Sequence, residues 1–240
     1  MILPTDWGND ALTQYLDAHR FNQLATFANK KSQLNDLIEI DSMFRKLLDG
    51  AINPKPFLPF GFIFRAHSAY LSACSSVMGG QLYEAQSLLR VALEQAGYGH
   101  YIGSDEARWK RWMAREEPRS RSQKDKWREE FTHGKVAKAI TAADGSVGEI
   151  YNQLYERSIS YGAHPNQLGD SMGSAIEDLE DGGKHFLTIY LHGNGIALDF
   201  AIKSTSQVGL CVLRIAKIIY PFRMQATGLD LELDAICQRF

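Results

Sequence analysis

The sequence predicts a mostly α-helical chain, a helical bundle with one small β-hairpin. Three observations carry that prediction. Apolar residues recur with the 3.6-residue period of helices over most of the 240 positions. The periodic stretches end at helix stop signals: Gly50, the pair Gly79-Gly80, Gly162 with Pro165, and Pro221. Only residues 174–191 are rich in β-formers, placed around the turn triplet Asp181-Gly182-Gly183.

The elements follow in order. Residues 9–28 carry Leu12, Tyr15, Leu16, Phe21, Leu24 and Phe27 between polar positions. Residues 33–48 continue with Leu34, Leu37, Ile38, Met43, Phe44 and Leu47. The stretch INPKPFLP is a loop, because its prolines interrupt any helix. Residues 60–79 and 81–101 are broad apolar helices separated by two glycines, and they read as an antiparallel hairpin at the centre of the core. Residues 104–138 form a charged, tryptophan-rich insertion. Residues 146–161 return to an amphipathic helix, with Ser146 and Glu149 spaced as a capping box. After the hairpin comes a long apolar helix over about 195–219, and a short helix closes the chain. With no repeat and no linker, residues 1–240 are read as one domain: N-terminal helices over 1–50 and a core over 60–220.

Composition narrows the functional classes. Hydrophobic residues at 45% and charged residues at 22% are ordinary globular values. A net charge of -2 does not mark the whole chain as a nucleic-acid binder. The start, MILPTDWGND, has Pro4, Asp6 and Asp10 where a secretory signal needs positive charge and then an apolar run. The uncharged stretch between Lys203 and Arg214 is ten residues, short for a bilayer. Cys74, Cys211 and Cys237 sit in apolar helical patterns and are expected as free thiols. These features predict a cytoplasmic protein with no membrane contact.

Seven scattered histidines form no metal-ligand spacing, and the chain has no Walker A, G-x-G-x-x-G or G-x-S-x-G motif. No metal or cofactor is expected. Residues 108–138 concentrate eleven basic and five acidic residues, a local charge of +6, with Trp109, Trp112 and Trp127 interleaved. Arg121, Lys124, Lys126, Trp127 and Arg128 are the candidates for pairing with RNA phosphates and stacking on bases. The alternative is a solvated helical face whose tryptophans anchor it to the core. Arg90 and Glu94 are four apart in an otherwise apolar helix, with Arg65 and His67 on the preceding helix available to a shared polar network. Arg157 and His164 flank a predicted helix end in YERSISYGAHPN. On an unbroken helix they would stand about 10 Å apart along the axis. A turn at Gly162 brings His164 back toward Arg157. Such a pair handles a phosphate, the histidine moving a proton and the arginine steadying charge, or it ties off a helix end.

An all-helical chain with the R-x6-H spacing of RSISYGAH resembles the HEPN superfamily. The stretch AYLSACSSVMGGQLYEAQSLLRVALEQAGY followed by YERSISYGAHPN also resembles a group of uncharacterised bacterial proteins with a HEPN-like core, and the resemblance covers roughly residues 60–220. It implies a helical bundle that pairs into a homodimer. In active members the arginines and histidines of both subunits meet in a cleft. There they cleave RNA without metal, the ribose 2′-hydroxyl attacking the adjacent phosphate. Many such members are toxins or act in phage defence. Carried onto this chain, Arg157 steadies the phosphorane-like state and His164 moves the proton, with Arg90, Glu94, Ser158 and Asn166 as a supporting polar network. The residue after the arginine is commonly Asn, Asp or His in active members and is Ser158 here. The expected function is therefore a metal-independent endoribonuclease whose partners are a second copy, RNA, and an antitoxin or other partner protein. The alternative is a non-catalytic HEPN-like dimeric module that binds a partner or ligand.

Overall fold

The structure, a computed structural model, describes residues 3–117, 121–163, 167, 169 and 173–240. It is mostly α with one two-stranded antiparallel sheet, as the sequence predicts.

Helices α1 (Ala11–Asn29) and α2 (Lys31–Leu48) lead into α3 (Phe57–Met78) and α4 (Leu82–Gly103). α3 and α4 form the most extensive helix pair and run antiparallel, because Gly99 and Gly103 near the end of α4 sit against Phe62 and Pro59 near the start of α3. The helix begins at Phe57, earlier than predicted, with Pro59 in its first turn, where a missing backbone N–H is harmless. Short helices α5 (Glu106–Met113) and α6 (Arg121–Glu130) carry the basic insertion, and α7 (His133–Ala143) and α8 (Gly145–Ser158) return the chain to the core. Strands β1 (Ser174–Asp178) and β2 (Lys184–Thr188) pair with Ile176 opposite Phe186, and almost every residue of this hairpin is exposed. Helices α9 (Ile196–Ile219), α10 (Pro221–Ala226) and α11 (Leu229–Cys237) complete the fold. Pro221 ends α9, as predicted, and also opens α10 at its first position.

α9 is the spine of the core. Leu198, Val208, Val212, Leu213 and Ile215 are buried along it. Gly209 lets α9 close on α2 and α3, since a Cβ there would lie 2.7 Å from both Ile40 and Tyr70. By length and composition α9 is long and apolar enough to cross a membrane, a property the ten-residue window between charges did not show. Of its most apolar window, 67% is buried inside the fold.

α1 forms where the sequence predicts a helix. Its apolar residues face outward, Phe21 and Leu24 being 71% and 62% exposed. Its inner face is polar. Asn22 donates to the Gly79 carbonyl (3.2 Å), Gln23 to Ser75 (3.1 Å) and Thr26 to Met78 (2.9 Å). The carbonyls at the end of α3 lack a full set of helical partners, and α1 supplies further donors there; the Ser75 carbonyl also accepts from the Gly79 amide at 3.0 Å. The expected network between Arg65, His67 and the Arg90–Glu94 pair is not formed. His67 instead bonds Asp41 on α2 (2.7 Å) and stacks on Phe44, while Arg65 is exposed. All three cysteines are free thiols.

Candidate functional site

α8 contributes to two polar clusters, one on each side. Its cap is Asp144, whose carboxylate accepts from the Ser146 and Val147 amides at 3.0 and 3.1 Å. The predicted Ser146–Glu149 capping box is thus pre-empted two residues earlier, and Glu149 accepts from Gln153 instead. The helix ends at Ser158, and a π-helical turn (Ile159–Ala163) follows. Gly162 has φ +151°, and a Cβ there would stand 2.4 Å from the Tyr83 carbonyl of α4. Ser87 of α4 also reaches the Gly162 carbonyl at 3.5 Å. The predicted stop at Gly162 is therefore a packing requirement as well as a conformational one. His164 and Asn166 lie outside the described residues.

One face of α8 looks toward α4 and α7. Glu94 Oε1 accepts from Arg90 Nε at 2.9 Å and from the Tyr155 hydroxyl at 3.0 Å. The Arg90 guanidinium lies 5.2 Å from the centre of the Tyr155 ring. His133, at the start of α7, stacks on that ring with centres 3.6 Å apart and planes within 14°. Burial, then the Glu94 carboxylate, pushes the Tyr155 hydroxyl up to about 12. Burial holds the His133 imidazole below its usual range, against the opposing pull of Glu156 and Glu94. At neutral pH this cluster is one charge-balanced ion pair braced by two neutral rings. Arg90 and Glu94 meet as the sequence predicts. Ser158 does not join them through its side chain. It is buried, and its hydroxyl donates to the Tyr155 carbonyl at 2.7 Å, a local bond within the helix.

The other face of α8 looks toward α9 and α11. Here Arg157 lines a cavity of 230 Å³ with Gln153, Gln207, Arg214, Leu210 and Phe240 among its walls. Arg157 Nη1 donates to the Gln207 carboxamide oxygen at 2.6 Å, and its guanidinium lies 5.8 Å from the Phe200 ring. Among the described residues, neither Arg157 nor Arg214 is in an ion pair within 4 Å. Cys211 also lines the cavity, and burial pushes its thiol up to about 12, so it is neutral. Sequence reasoning missed Arg214. Its signal was available: it stands between apolar residues in the stretch VGLCVLRIA, with no acidic residue three or four positions away on the same helix.

The basic insertion has a divided character. Trp112, Trp127 and Phe131 form an aromatic cluster with ring centres 4.8 to 5.5 Å apart, joined by Tyr98 and covered by Arg115. Trp127 is half-buried with its indole N–H inside, so this candidate for base stacking is engaged as an anchor to the core. Arg121, Lys124, Lys126 and Arg128 stand exposed on α6, Arg128 near Asp125. No cluster of three or more potential metal ligands occurs among the described residues. Comparison of the chain with known protein families, curated proteins and solved structures finds no match in any of the three.

Proposed function

We propose that the chain is a HEPN-like, metal-independent endoribonuclease in which Arg157 contacts the scissile phosphate and His164 moves the proton. The reading rests on the R-x6-H resemblance. The observation that carries it is the state of Arg157: a guanidinium steadied by a neutral carboxamide, with no described carboxylate to quench it. That is how an arginine is kept ready for an anionic oxygen. The exposed cations of α6 extend the reading, as phosphate contacts outside the reacting centre.

A second reading is favoured by the other half of the same observation. Arg157 turns into a cavity of 230 Å³, a space for one small anionic group rather than a strand. In this reading the chain is a non-catalytic HEPN-like module that holds a ligand. One experiment separates the two. Purified protein is incubated with single-stranded RNA in EDTA, and cyclic-phosphate ends are scored. The ribonuclease reading expects cleavage by wild type and none by His164→Ala. Equal cleavage by both means a contaminant, and no cleavage by wild type leaves the binding module.

A further inference from the structure

The geometry points to a binding site for a small dianion of the phosphomonoester class in the cavity between α8, α9 and α11. Arg157 and Arg214 both line it, and no described carboxylate side chain does. Both residues are half-buried. Two like charges gathered in one half-buried space, with Asp144 acting on Arg214 only from beyond ion-pair distance, are costly through desolvation and through mutual repulsion. An anion seated between them offsets both costs and accepts charge-assisted hydrogen bonds.

Three nearby carboxylates are engaged elsewhere: Asp144 caps α8 while attracting Arg214 from outside the cavity, Glu149 accepts from Gln153, and Asp234 pairs with Lys217. Charge sets the ligand class. Two guanidiniums match a phosphomonoester, which carries about -1.5 to -2 at pH 7, better than a diester, which carries a single charge. With its oxygen committed to Arg157, Gln207 has its amide N–H groups left as further donors. Leu154 and Leu210 supply an apolar wall, which suits an organic monoester. The site rests on Arg157 facing a ligand, as the preceding reading does, but not on cleavage of RNA.

Titration calorimetry with the full chain tests it, using phenyl phosphate as the monoester and methyl phenyl phosphate as the diester. Phenyl phosphate should bind about tenfold or more tighter than the diester. Its affinity should rise between pH 5 and 7.5, through the second phosphate ionisation near pH 6. Arg214→Gln should weaken binding about tenfold, and Arg214→Lys should retain part of it. Circular dichroism establishes that each variant is folded. Absence of binding by wild type at millimolar phenyl phosphate overturns the site. Equal affinity for the diester, or unchanged binding in folded Arg214→Gln, does the same. Binding without RNA cleavage removes only the ribonuclease reading, and cleavage without binding removes only this site.

Discussion

The two sides of α8 hold half-buried arginines in opposite ways. Toward α4, Arg90 meets Glu94, and Tyr155 donates to the same carboxylate oxygen. Toward α9, Arg157 and Arg214 share a cavity with no carboxylate side chain among its described walls. The residue type is the same and the burial is comparable. The difference is counter-charge. A guanidinium paired within the fold is part of the fold, whereas one without a direct ion-pair partner is available to something outside it.

The largest expected effect tests the balanced side. Glu94→Ala leaves two donors, Arg90 Nε and the Tyr155 hydroxyl, without their acceptor. It should cost about 1–3 kcal/mol in urea unfolding. The double variant Arg90→Ala with Glu94→Ala should lose less than the two single variants summed, because no orphaned charge remains. A loss for Glu94→Ala within about 0.3 kcal/mol would mean that the pair is ornamental, and the comparison would break.

A smaller effect follows from His133. Burial depresses its imidazole in the folded state, so the unfolded chain binds the proton more readily. Stability from this group is fully present above the ordinary histidine value of 6.5 and is lost as pH falls through it toward the depressed folded value. Thermal melts of wild type from pH 8 to 5 should therefore decline on the acid side, and His133→Phe should flatten the decline. A remaining slope belongs to His100, which burial also depresses. An identical profile in the variant would show that the stack on Tyr155 does not depend on a neutral ring.

The smallest effect is expected on the unbalanced side. Without ligand, Arg157→Gln and Arg214→Gln should each change stability by no more than about 0.5 kcal/mol, with relief of repulsion favouring the variants. A loss above about 1 kcal/mol in denaturant unfolding would make these arginines structural and erase the contrast between the two faces.

How much of this was legible in the sequence varies with the range of the interaction. The Arg90–Glu94 pair was readable because four residues on one helix are neighbours by geometry alone. The stop at Gly162 was readable because glycine and a following proline punctuate helices, although the Tyr83 carbonyl that forbids a side chain there was not. Tyr155 and Arg157 stand in one quoted stretch, but two positions on a helix are about 200° apart, which sends them to different neighbours. The outward turn of α1's apolar residues was not readable, because periodicity shows that a helix has two faces and not which face the rest of the molecule needs. There the last carbonyls of α3 needed donors, so the polar face turned inward.

By itself, the sequence determined the fold class, the α3–α4 hairpin, the small β-hairpin and the Arg90–Glu94 pair, all set by spacing over short stretches of chain. It also located the tryptophans of the basic insertion without showing that Trp127 would be spent on packing. Only the tertiary structure decided which charges are neutralised. Arg157 and Arg214 lie 57 positions apart in the chain and come to one cavity because α8 packs on α9. Electrostatic environment is a property of distance in space, and sequence spacing reports that distance only within a single helix or strand.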